Sequence, residues 1–94
     1  MTAESSQRLQ QLRAEIDAIN RELVAVIQRR ARVCKRVAAH KKAHSLPLVD
    51  PSREADMMLA ALRDCGDGFS RESLARIFSA LFDESRALVL EEGS

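Results

Sequence analysis

Arg30 and Lys41 are the residues with which this sequence could do chemistry, because both interrupt an apolar helix face. No Gly or Pro occurs from Ser5 to His44. Within that stretch Leu9, Leu12, Ile16, Ile19, Leu23, Ile27, Cys34 and Val37 recur at the three- and four-residue spacing of one face of a helix. At ~100° per residue, Arg30 projects with Leu12 and Leu23, and Lys41 with Ile16 and Leu23. Charge on an apolar face is costly unless it is matched, so two inward cations read as a site for an anion. The plainer alternative is that both snorkel, or pair with carboxylates elsewhere in the fold. Arg13 lies on the edge of the same face. Arg21, Arg29, Arg32 and Arg36 point the other way and read as solvated charge.

A second group follows closely. Asp50, Pro51, Ser52, Arg53 and Glu54 put two carboxylates and a guanidinium into the first turn of a second helix. Acids are favoured at a helix N-terminus in any case, yet this turn comes soon enough after Lys41 to fold back over the inward cations. Ser85 is the one hydroxyl on a third apolar stripe, where a serine often only bonds back to the preceding turn. Together these groups would form a pocket with two or three cations, a hydroxyl and a carboxylate acceptor. Such a pocket suits a small dicarboxylate that carries a hydroxyl group.

The elements that must hold these groups are all helical. With 94 residues, three Gly, two Pro, three Phe and neither Trp nor Tyr, the composition is that of one small all-α domain over 1–94, ordered from about residue 5 to 90. The first helix is predicted from about Ser5 to His44, with residues 1–4 frayed. Leu46 precedes a proline and is pushed out of the helical region, which gives a short extended link. Asp50 as N-cap and Pro51 at the first helical position open helix two. That helix carries Ala55, Met58, Leu59 and Leu62 inward and stops at Cys65–Gly68, with Gly66 as its C-terminal cap. Ser70 caps helix three, whose stripe is Leu74, Ile77, Phe78, Leu81, Ser85 and Leu88, flanked by Phe82 and Val89. Glu91–Ser94 are expected to fray.

Other classes find little support. A net charge of +1 with interleaved acids and bases argues against a nucleic-acid surface. Apolar runs are too short for a membrane span. The opening residues show no basic region followed by an apolar one, so a cytoplasmic location is expected. Cys34 and Cys65 lack metal-ligand spacing, and Cys34 reads as a core residue. His40 and His44, one turn apart, read as helix-end residues near the negative dipole end. No metal is expected.

The sequence resembles the all-helical class of chorismate mutases. The matching pieces are Leu12, Arg13, Ile16 and Asp17; Gln28, Arg29 and Arg30; Lys41; Pro47 through Glu54; and Ile77, Phe78, Glu84, Ser85 and Arg86, covering about Leu9 to Val89. The resemblance implies an intertwined helical homodimer with three helices per chain, one long and two short, and sites shared between subunits. It implies no cofactor and a dicarboxylate substrate, rearranged from chorismate to prephenate within one molecule. It makes Lys41, Arg30 and Glu54 the catalytic residues. Arg30 would bind a carboxylate, Arg13 would reach the second carboxylate from the other subunit, and Lys41 would stand beside the ether oxygen. Asp50 and Glu54 would contact the hydroxyl, Arg53 belongs to the same turn, and Ser85 lies near the ring carboxylate. Val89 departs from the pattern, since the family usually has Gln, sometimes Glu, there to meet the ether oxygen. Enzymes of the same fold that act on 4-amino-4-deoxychorismate, or cleave isochorismate to pyruvate and salicylate, are the nearest alternatives. A non-catalytic helical dimer, or a weak mutase activated by a partner enzyme, is another.

At ~1.5 Å per residue the first helix reaches ~60 Å, longer than one small chain can cover. Sedimentation at micromolar concentration is expected to give twice the mass of the chain. A compact helical monomer would remove the shared-site expectation with it.

Overall fold

A computed structural model describes residues 2–93 and contains α1 (Ala3–Ala43), α2 (Pro51–Ala61) and α3 (Arg71–Gly93), with no strand among the described residues. The all-helical class is the one the composition predicts, and one long and two shorter helices are what the apolar spacing and the helix caps predict. The chain forms two compact units, Met1–Arg32 and Val33–Ser94. No described helix is long and apolar enough to cross a membrane.

In the first unit, α1 starts two residues earlier than expected because Thr2 caps it. The Thr2 Oγ1 accepts from the Ser5 amide at 3.1 Å, so residues 2–4 are ordered by a cap rather than frayed. Met1 lies outside the described residues. The apolar stripe of this unit is open: Ile16, Ile19 and Leu23 are 57%, 58% and 53% exposed.

The second unit opens with the end of α1. There the Leu46 amide donates to the Lys41 carbonyl at 2.8 Å and the Ser45 amide to the Lys42 carbonyl at 3.3 Å, while Ser45 adopts φ +56°. These are the two bonds and the left-handed residue of a Schellman stop. At α2 the sequence expectation holds at the start, with Asp50 as N-cap and Pro51 in the first turn. It does not hold at the end, where the helix closes at Ala61 rather than at Cys65–Gly68. The Arg71 Nη1 donates to the Leu62 carbonyl at 2.9 Å, which satisfies a terminal acceptor that another turn would have used. Gly66 (φ +70°) and Gly68 (φ +110°) therefore serve the turn that follows, where left-handed backbone favours glycine. Ser70 caps α3 as predicted, its Oγ accepting from the Ser73 amide at 3.1 Å. The helix persists to Gly93, past the expected fraying at Glu91; Ser94 lies outside the described residues.

Among the described residues Ala38, Leu62 and Phe82 are buried. Phe82, expected on the flank of α3, lies at the centre, with the Phe78 ring edge-on to it at 6.0 Å. Ile77, expected inside, is 49% exposed. On α2 the inward face runs through Glu54, Met57, Met58 and Leu62. Ala55 is exposed and Leu59 is 64% exposed, which corrects both. Glu54, Met58 and Leu62 are spaced by four, and a carboxylate rather than an alanine leads that row. Its partner, described below, explains the rotation.

Phe82→Ala is expected to cost about 3–5 kcal/mol, the range for truncating a buried aromatic. Asp50→Ala is expected to cost about 1 kcal/mol through the lost cap. Urea unfolding monitored by helical circular dichroism checks both.

Candidate active site

In the second unit the end of α1, the link and the first turn of α2 follow one another without slack. Lys41 is half-buried, and its Nζ donates to the Leu48 carbonyl at 3.4 Å. One ammonium thus ties the stop of α1 to the link that leads into α2. Asp50 is exposed, and its Oδ1 accepts from the Arg53 amide at 3.0 Å, which fixes the carboxylate as a cap. Arg53 itself points to solvent.

Glu54, one turn further, is half-buried and is held from α3. The Arg86 Nη2 donates to its Oε1 at 2.6 Å and the Arg86 Nε to its Oε2 at 3.2 Å. This is the two-pronged geometry in which a planar guanidinium matches both oxygens of a carboxylate. The Arg86 Nη1 also meets the Asp83 Oδ1 at 3.3 Å, one turn back on its own helix. The Arg86 hydrogen bond holds the Glu54 carboxyl below the usual carboxylate range. Partial burial and the neighbouring Asp50 charge oppose that, and the charge of Arg86 adds to it. Glu54 is accordingly an anion and an acceptor only. The same bond raises the Arg86 guanidinium and keeps it charged.

Ser85 and Val89, one turn apart on α3, are both half-buried. The Ser85 Oγ donates to the Leu81 carbonyl at 2.7 Å, the back-bond that a helical serine commonly makes. Val89 brings no hydrogen-bonding group. Arg86 is the residue that sequence reasoning left without a role. Its place beside Ser85 and its spacing from Asp83 were visible, but its partner lies 32 residues away.

The remaining predicted cations lie on α1. Of the described Lys and Arg side chains on that helix, Arg30 and Lys41 alone are half-buried. Arg13, Arg21, Arg29, Arg32 and Arg36 are exposed. The separation of Arg30 from its neighbour Arg29 is the one that the helical projection predicts. Among the described residues no three His, Cys, Asp or Glu side chains gather as a metal site would require. A shallow concavity bounded by Glu4, Arg8 and Leu12 lies on α1 alone and includes none of the predicted site residues.

Comparison with known proteins gives a consistent result. The family model for chorismate mutase type II matches residues 12–89. A 4-amino-4-deoxychorismate mutase of Streptomyces venezuelae is 31% identical over 77 residues, covering 81% of this chain and 75% of that protein. A bifunctional chorismate mutase/prephenate dehydratase of Aquifex aeolicus is 32% identical over 90 residues, covering 92% of this chain. The chain spans only 24% of the length of that relative. Among solved structures, form II of the chorismate mutase from Thermus thermophilus superposes with a TM-score of 0.84 at 29% identity. That match covers 87% of this chain and 93% of the other.

The Glu54–Arg86 pair sets a pH dependence of stability. A carboxyl whose folded-state pKa is depressed stabilises the fold above its unfolded-state pKa, and the contribution is lost as pH falls through the folded-state value. Arg86→Gln is expected to melt below the wild type at pH 7. The difference should shrink as pH drops below the usual carboxylate range. Parallel thermal melts across pH check this, and a constant difference would rule the pair out as its source.

Proposed function

Because the chain belongs to the chorismate mutase type II family, we propose that it rearranges chorismate to prephenate by an intramolecular Claisen rearrangement. The observation that carries the reading is the selective half-burial of Arg30 and Lys41 among the cations of α1. In this reading they are the two cations that α1 of one chain supplies to the site.

The chemistry asks for little else. A C–O bond breaks and a C–C bond forms with no proton transfer and no covalent intermediate, so neither base nor nucleophile is required. The site has to hold the enolpyruvyl arm over the ring, which is a matter of proximity and orientation. It also has to stabilise negative charge that develops on the ether oxygen, which fixed electrostatics does best. In this proposal the fork of Arg30 binds one carboxylate. The Lys41 ammonium, held at the stop of α1, faces the ether oxygen. Glu54 and Asp50 lie on the turn that receives the ring hydroxyl, and Ser85 lies near the ring carboxylate. Val89 leaves Lys41 as the sole side-chain donor to the ether oxygen.

The assembly we propose is a homodimer. An α1 stripe with Ile16, Ile19 and Leu23 more than half exposed is covered most simply by the same stripe of a second copy, related by a two-fold axis. Arg13, exposed on α1, would then cross to the site of the other copy and meet the second carboxylate.

A second reading has one specific observation behind it. The Streptomyces venezuelae relative bears the name 4-amino-4-deoxychorismate mutase, and an ammonium in place of the hydroxyl would also face the acidic turn of α2. Direct product assays on the purified protein, offered each substrate, separate the two.

Arg30→Ala and Lys41→Ala are each expected to lower kcat/KM by ~30-fold to ~1000-fold, the loss for removing one preorganised charge from such a site. The helical content should be unchanged. Arg29→Ala, one residue away and exposed, is expected to be nearly silent. Equal damage from Arg29→Ala and Arg30→Ala would overturn the assignment of the inward face.

A further inference from the structure

We propose that Arg86 makes the site select a hydroxyl over an ammonium on the substrate ring, by sharing the Glu54 carboxylate that receives that group. The inference rests on the reading of Glu54 as the acceptor for the ring substituent. It adds a specificity-determining residue to that reading.

The pair spans two helices and is not sealed. The Arg86 and Glu54 side chains are 37% and 24% exposed, so a bound molecule can reach both. Each Glu54 oxygen accepts one bond from Arg86 and keeps a further lone pair for a donor. Arg86 directs its Nε, Nη1 and Nη2 into three bonds. A guanidinium has five N–H groups in all, so two remain, one on Nη1 and one on the Nη2 that also holds the Glu54 Oε1. The couple therefore offers an acceptor and a donor side by side.

A hydroxyl donates and accepts, so it satisfies both. An ammonium only donates, as the Lys head group does, and leaves the guanidinium donor without an acceptor. It also brings positive charge next to Arg86. An unpaired Glu54 beside Asp50 would form an acidic turn well matched to an ammonium. Arg86 removes that advantage by compensating the nearer carboxylate. The discrimination thus comes from a repulsive element set against the competitor as well as from a contact to the preferred group. Asp83 meets Nη1 and Glu54 holds the edge formed by Nε and Nη2, so the second N–H of Nη2 is the donor nearest to the shared carboxylate.

The test measures kcat/KM for chorismate and for 4-amino-4-deoxychorismate on the wild type, Arg86→Gln and Arg86→Lys. Calorimetric dissociation constants for both compounds accompany the rates. The wild type is expected to favour chorismate. Arg86→Gln is expected to move the ratio toward the amine about tenfold or more, and Arg86→Lys, which restores a cation, to move it back. Should Arg86→Gln lose helicity, Arg86→Met keeps the aliphatic stem and carries the same expectation. A purely structural role would lower both rates together and leave the ratio fixed, which would overturn the proposal while mutase activity stood. A wild type that favours the amine would also overturn it. If the wild type bound chorismate preferentially without converting it, and Arg86→Gln reversed that preference, the selectivity would stand and the catalytic reading would fall. Binding of neither compound would overturn both.

Discussion

The two hydrogen bonds from Arg86 to Glu54 join α2 to α3 across 32 residues of chain, and much of the second unit follows from them. A partly exposed ion pair contributes modestly to stability, because solvent screens it. Its larger effect is angular. A bidentate fork restrains both partners in direction as well as distance, so α2 cannot roll about its axis without breaking one bond. With Glu54 held, Met58 and Leu62 fall on the same row and turn inward. Ala55 and Leu59, one position on, are left outside. Leu62 then joins Phe82 and Ala38 as the buried side chains of this unit.

On α1 the same conflict between charge and burial appears in a different form. A helix of this length has room for many cations, and most are placed where water solvates them. Arg30 and Lys41 are half-buried instead, and the Lys41 ammonium meets the Leu48 carbonyl. Taking an always-charged guanidinium such as that of Arg30 partly out of water costs free energy unless it is matched. The rearrangement proposed above asks no group of the protein to gain or lose a proton, so placement of fixed charge is its main demand.

Local features of the fold were legible in the sequence because their causes are local. The Asp50 and Ser70 caps each bind an amide three residues on, and Pro51 needs only its own ring. The inward direction of Arg30 and Lys41 followed from helical period alone. What escaped reading had distant causes. The end of α2 is fixed by Arg71, nine residues beyond the carbonyl it satisfies. The rotation of α2 is fixed by Arg86. An 11-residue helix with apolar groups at Ala55, Met57, Met58 and Leu59, followed by Leu62 at its C-cap, has two faces that periodicity cannot rank, and an ion pair decided between them. The start of α1 was missed for a lesser reason, since Thr2 was available as a cap. The prominence of Phe82 over Ile77 reflects aromatic packing with Phe78 rather than any signal in spacing.

On the proposed reading of Lys41 and the acidic turn of α2, the Schellman stop at Ser45 makes chain length itself a functional quantity. Lys41 supplies the carbonyl that receives the Leu46 amide and the ammonium that reaches Leu48, and two residues after Leu48 comes the Asp50 cap. Between ammonium and carboxylate there is a count of residues with no spare length to absorb a change. A single inserted residue in this link would leave every helix with its own caps and its own hydrogen bonds. It would nevertheless shift the acidic turn out of step with the end of α1. Substitutions of exposed residues outside the caps, the α1 stripe and Arg13 alter no such spacing. On that reading the chain can change in composition at many exposed positions and in length almost nowhere along this link, where its chemistry would fail before its fold did.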